Sequence, residues 1–222
     1  MNMAADLIFT GFMALCLILS ASSRLVHCVR LVAIQGILLG VLPVIMWNWT
    51  KGIPGCEFWL SVSINIIIKG IVLPLLLIRA MHKAGVKREL EPLTGYSWSL
   101  LIVSIAGALA LWFGKTLNIA GVPALAVPAA ALTVFTGLFI IISRRKALTQ
   151  SLGFLAFENG IALFGVAMHL EYGFFVELGI LLDVLVLVFV MGITVFQISR
   201  EFEHIDADRL NLLTDTEGIE VK

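Results

Sequence analysis

Seven long apolar stretches, separated by short polar connections, run along the chain. They cover approximately residues 4–21, 25–47, 58–78, 96–114, 122–142, 148–170 and 174–198. A bilayer core about 30 Å thick needs about 20 apolar residues of helix, and each stretch is of that order. The runs are continuous, whereas the strands of a membrane barrel alternate apolar and polar positions over about ten residues. The pattern predicts an all-α integral membrane protein with seven transmembrane helices. Residues 1–6 contain one acid and no base, so the first run reads as a retained span rather than a secretory signal.

The basic residues give the spans a direction. One set of connections carries Arg24 and Arg30, then Arg79, Lys83, Lys87 and Arg88, then Arg144, Arg145 and Lys146; the C-terminal tail on the same side adds Arg200, Arg209 and Lys222. The opposite side holds only Lys51 and Lys115. An excess of Lys and Arg marks the cytoplasmic side, which predicts an outside N-terminus, a cytoplasmic C-terminus and a multi-pass protein of the cell inner membrane. The longest connection, 79–95, separates an N-terminal three-helix segment (1–95) from a four-helix segment (96–198) and an acidic cytoplasmic tail (199–222). Trp47, Trp49 and Trp59 read as interfacial anchors.

Composition narrows the function. Sixty per cent of the 222 residues are apolar and 14% are charged, against roughly 45–50% and about 25% in soluble domains. That excludes a soluble enzyme, and a formal net charge of +0 gives no pull toward nucleic acid. Cys16, Cys28 and Cys56 show no metal-ligand spacing. The loops are too short for an extramembrane catalytic domain, and no nucleotide loop is present.

The chemistry is carried by ionisable side chains inside the apolar runs. Lys69, Glu158 and Asp183 each fall near the middle of a span, roughly 14–16 Å deep at 1.5 Å per residue. A charge at that depth costs about 2.5–3.5 kcal/mol on insertion scales, so such groups face protein or water and are candidates for ion pathways. The plainer reading is a structural ion pair, for instance Lys69 with Glu158. A third reading keeps one carboxyl protonated, because hydrocarbon disfavours the charged form. Asn159 follows Glu158, and Gly153, Gly160 and Gly165 lie nearby; small residues allow close helix approach or leave room for water. Glu177 lies about one turn into the last run and precedes Asp183 by six residues, which puts the two about 120° apart around a helix. Ser61, Asn65 and Lys69 form a polar stripe in the third run, and Pro43 and Pro74 lie late in theirs.

The fifth to seventh runs resemble the K subunit of respiratory complex I and the related C subunit of multisubunit cation antiporters. The likeness lies in Thr136-Gly137-Leu138, the basic turn Ser143-Arg144-Arg145-Lys146, and Gly153-Phe154-Leu155-Ala156-Phe157-Glu158-Asn159-Gly160. Over most of its length the chain is similar to the E component of group 4 membrane hydrogenases of the formate-hydrogenlyase (hydrogenase-4) type. That resemblance rests on Phe157-Glu158-Asn159, Val176-Glu177-Leu178-Gly179-Ile180-Leu181-Leu182-Asp183 and the tail Arg200-Glu201-Phe202-Glu203-His204-Ile205-Asp206. It implies a small membrane subunit between antiporter-like subunits and a hydrogenase or related redox arm. Glu158 would be the first relay carboxyl, Asp183 or Glu177 the second, and Lys69 a modulating charge. The chain would bind no cofactor itself, the nickel-iron centre and iron-sulfur clusters belonging to partner subunits. It would not be catalytic alone but would form part of an oxidoreductase complex that moves H⁺ or Na⁺. The alternative is a structural subunit with no ion path. The tail, with its interleaved Phe202, Ile205, Leu210, Leu212 and Leu213, reads either as solvated or as a docking segment on a cytoplasmic partner.

Overall fold

A computed structural model describes residues 3–47, 49, 52–83, 93–117, 119, 121–145 and 147–168 of the chain. In chain order the helices are α1 (Met3–Ala21), α2 (Leu25–Met46), α3 (Cys56–Ile67), a π-helical segment (Ile68–Val72), α4 (Leu73–Lys83), α5 (Tyr96–Leu117), α6 (Ala126–Ser143) and α7 (Ala147–Ala167). The protein is all-helical over these residues, as the continuous apolar runs predict. Among the described residues, five helical stretches are long and apolar enough to cross a membrane: Met3–Ala21, Leu25–Met46, Cys56–His82, Tyr96–Leu117 and Ala126–Ser143. They correspond to the first five runs of the sequence.

Three differences from the sequence reading have local causes. The third run is longer than 58–78, because α3, the π segment and α4 join end to end and take in Arg79. The fifth begins at Ala126 instead of 122: Gly121 adopts φ +83°, and the Ala126 N–H donates to the Pro123 carbonyl at 3.0 Å, closing a turn before the helix starts. The sixth run is helical as α7, but Thr149, Gln150, Ser151, Glu158 and Asn159 dilute its apolar character. The seventh run, with Glu177 and Asp183, and the acidic tail lie outside the described residues.

α1 and α2 form one hairpin, α6 and α7 another, and the α6–α7 contact is the most extensive among the described helices. Two apolar clusters occupy opposite ends of these hairpins. One joins Leu19, Leu25, Val29, Val32, Leu73, Leu77, Ile140, Leu152 and Ala156. The other joins Ala5, Phe9, Phe12, Leu39, Leu42, Ala126, Ala130, Leu163 and Ala167. In the interval between the clusters lie the buried thiol of Cys16 in α1 and the buried polar side chains of Gln35 in α2, Thr133 and Thr136 in α6, and Glu158 and Asn159 in α7. The bundle thus has a polar layer between two apolar clusters, and buried polar residues also gather at the end where α1 and α6 finish, among them Ser20, Ser143 and Arg144.

α5 sits at the rim. Only Ser99, Val103 and Gly107 are buried in it, while Trp98 and Trp112 are 66% and 67% exposed. An apolar helix with this little cover from the described residues suits a lipid or protein neighbour.

Candidate ion-pair site in the polar middle layer

Lys69 is placed by an irregularity. The Leu73 N–H donates to the Ile68 carbonyl, an i→i−5 bond, and so closes a π turn around Lys69. Pro74 follows at once. Its ring crowds the carbonyl four residues back, and its nitrogen donates nothing, so a widened turn accommodates it better than an α turn. Such π-bulges occur often at functional sites.

Glycines let the bulge settle on α2. A Cβ added to Gly36 would lie 2.8 Å from Lys69 Cβ and 2.9 Å from its carbonyl oxygen. A Cβ on Gly70 would meet Ile37 Cγ1 at 2.8 Å, and one on Gly40 would collide with the Ile66 side chain. Backbone therefore approaches backbone here to a degree that only glycine permits.

Glu158 is placed from the opposite side by α6 and α7. A Cβ on Gly137 would collide with the Phe157 backbone, and one on Gly160 would lie 2.6 Å from Val134 N. Gly153 is equally tight, 2.9 Å from Gly137 O and Ile141 N. Of the two roles open to the glycines around Glu158, Gly153 and Gly160 serve close packing.

The two side chains meet. Lys69 Nζ lies 2.7 Å from Glu158 Oε1, with side-chain exposures of 4% and 2%. This is a direct charge-assisted hydrogen bond between two buried groups. Glu158 Oε2 is buried and meets no donor among the described residues. Asn65 does not join the pair: its Nδ2 donates to the Ser61 carbonyl at 3.0 Å, and Ser61 Oγ donates to the Glu57 carbonyl at 2.9 Å. Both stay half-buried while Lys69 is buried, because the π turn breaks the i, i+4 register of the stripe.

A second polar group shares the layer and crosses three helices. Gln35 Nε2 donates to Cys16 Sγ at 3.6 Å, Cys16 Sγ to Thr133 Oγ1 at 3.5 Å, and Thr133 Oγ1 to the Ala129 carbonyl at 2.6 Å. The sequence reading missed Gln35, although an amide midway through the second apolar run is a visible signal. Among the described residues no three of His, Cys, Asp and Glu gather as metal ligands do.

Comparison with known proteins supplies a relative. "Uncharacterized protein Rv0085" of Mycobacterium tuberculosis is 37% identical over 194 residues, which cover 84% of this chain and 85% of its own length. The chain belongs to the Rv0085 family. No family model matches it, and no solved structure matches it. The name of the mycobacterial relative assigns no activity, so in this member of the Rv0085 family the functional argument rests on the site.

A further feature of this family member lies at the end of the bundle where α1 and α6 finish. Arg144, only 3% exposed, donates to the carbonyls of Ser20 at 3.2 Å and Thr94 at 3.3 Å and to Ser99 Oγ at 3.4 Å. Its guanidinium lies 4.5 Å from the Tyr96 ring centroid. In the sequence it counts as one of the basic residues that orient the chain; in the fold it also ties α1, α5 and α6 together. The fork of five N–H donors explains how one side chain reaches three acceptors.

Proposed function

We propose that the chain is a membrane subunit of a redox-driven ion pump related to complex I and to group 4 hydrogenases, with Glu158 as a carboxylate of the ion path. The observation that carries this reading is the Lys69–Glu158 pair at 2.7 Å inside the bundle, with Glu158 Oε2 still without a donor among the described residues. A buried acceptor in that state is poised to take a proton or contact an ion, since leaving it bare costs about 1–3 kcal/mol.

On this reading the chain crosses the inner membrane seven times, and the Arg144 end faces the cytoplasm. A proton arriving at Glu158 neutralises the carboxylate and removes its attraction to Lys69. The ammonium then acts by Coulomb coupling on a second carboxyl, Asp183 or Glu177, and favours its charged form. Lys69 changes no bond in this scheme; it transmits charge between two titrating groups. The redox centres, a nickel-iron site and iron-sulfur clusters, belong to partner subunits, and antiporter-like membrane subunits flank the chain. The coupled ion is H⁺ or Na⁺.

The same pair also favours a second reading, because a direct, fully buried ion pair is what a purely structural subunit would use to lock α7 against the α3–α4 helix. Purification of the native complex with Glu158→Gln tests both. The variant keeps the shape and loses the titrating group. Retained antiporter-like and redox partners with lost ion movement support the pump reading. Loss of the partners supports the structural one, and a chain that never co-purifies with large partners overturns both.

A further inference from the structure

The Gln35–Cys16–Thr133 chain has a direction, and the direction leaves one atom over. The Thr133 hydroxyl gives its hydrogen to the Ala129 carbonyl at 2.6 Å, so toward Cys16 it accepts. Cys16 gives its single hydrogen to Thr133 Oγ1, so toward Gln35 it too accepts. The amide of Gln35 must therefore present its nitrogen to Cys16, and its oxygen becomes the head of the chain. This assigns the amide orientation from the donor inventory alone. Gln35 is 0% exposed, and Oε1 meets no donor among the described residues.

Two close backbone contacts join the helices of this chain to those of the ion pair. Gln35 adjoins Gly36, whose added Cβ would lie 2.8 Å from Lys69 Cβ. Thr133 abuts Gly160, whose added Cβ would lie 3.1 Å from the Thr133 carbonyl carbon, and Gly160 is two residues past Glu158. The elements that carry the chain (α2, α1, α6) thus pack directly against those that carry the ion pair (the π segment and α7). The polar layer contains two buried bare acceptors, Gln35 Oε1 and Glu158 Oε2.

We propose that the polar layer holds internal water, which donates to Gln35 Oε1 and to Glu158 Oε2 and so extends the ion path from Glu158 toward the Gln35–Cys16–Thr133 chain. Water fits the chemistry of the gap: each molecule carries two donors, and two acceptors lack them. Buried water typically settles where it meets two to four polar groups that lack partners. An apolar filler leaves both acceptors bare. The inference deepens the ion-path reading of Glu158 and rests on it for its purpose. Its test is independent of transport.

Cys16 serves as the probe. In the full-length chain in lipid nanodiscs, with Cys28→Ala and Cys56→Ala, it is the one thiol left of three. Its S–H stretch is followed in the infrared after transfer to D2O. The expected result is complete S–H to S–D exchange within minutes, slowed at least about tenfold by Gln35→Leu, which removes a polar partner of the water. Gln35→Met is the second variant should Gln35→Leu fail to fold. An S–H band that persists for hours in the Gln35 protein overturns the proposal, as does exchange at an unchanged rate in the Gln35 variants. Neither result depends on a partner subunit or a redox reaction, so failure here and failure of ion transport in Glu158 variants are separate findings.

Discussion

Lys69 Nζ and Glu158 Oε1 stand 2.7 Å apart although 89 positions separate them in the chain. Two irregular pieces of packing bring them together: a π turn pressed on Gly36, and an α6–α7 contact built on Gly137, Gly153 and Gly160. The pair is therefore held from two sides by backbone contacts, and this makes its energetics testable apart from its function.

Removing one partner should be worse than removing both. Lys69→Met alone leaves the Glu158 carboxylate buried beside an apolar side chain and should destabilise the subunit by about 3–5 kcal/mol, whereas Lys69→Met combined with Glu158→Met should recover most of that loss. Unfolding of the purified subunit in mixed micelles reads the difference. Equal losses in the single and double variants would show that the two groups are not energetically coupled.

The glycine contacts predict a graded effect. Gly160→Ala places a methyl 2.6 Å from Val134 N, and overpacking of that kind typically costs about 1–3 kcal/mol. Gly55→Ala, where no atom lies within 4 Å, should stay within about 0.5 kcal/mol of the wild type. Thermal melts of the two variants against the parent check this; a Gly160→Ala protein as stable as the Gly55→Ala one would mean that α6 and α7 sit further apart.

Much of this was legible in the apolar pattern, and the limits have physical causes. Continuous apolar runs reveal helices because hydrocarbon demands internal backbone bonding, and five of the runs became long apolar helices. Lys69 and Glu158 stood out because charge is rare in such runs, and opposite charges in an apolar interior seek one another. The π turn was not legible: Pro74 signals a disturbance, but whether a helix kinks or widens depends on the neighbouring surface, here Gly36. Gln35 and Thr133 escaped notice, and Cys16 was read for metal-ligand spacing alone, because neutral polar residues are tolerated in membrane helices through bonds to their own backbone, and only tertiary packing shows which of them cross between helices. The start of α6 at Ala126 was missed because Val122 and Ala124 are as apolar as the helix itself, and Gly121 and Pro123 set the turn.

Arg144 should not tolerate its nominally conservative replacement. Lysine offers a point charge where the structure uses a planar fork and stacks it on Tyr96. Arg144→Lys should lower stability by about 1–3 kcal/mol, within the range for a broken buried network, while Arg30→Lys at an exposed position of α2 should shift it by less than about 0.5 kcal/mol. Chemical denaturation of both variants is the measurement, and equal shifts would contradict the staple role.

The direction of the chain is open to a reporter assay. A fusion truncated after position 146 should read cytoplasmic and one at Lys115 external, as the distribution of basic residues requires. The reverse pair of signals would overturn the proposed orientation.

The central claim is that Glu158 carries ions, and the most direct measurement is ion uptake by proteoliposomes holding the whole complex, driven by its redox reaction. Glu158→Ala, in an assembled complex that still reduces artificial acceptors at nearly the wild-type rate, should lose most or all uptake. Glu158→Asp, which keeps a titrating group on a shorter arm, should retain part of it. Wild-type uptake by the assembled Glu158→Ala complex would contradict the claim and leave Glu158 as the structural partner of Lys69.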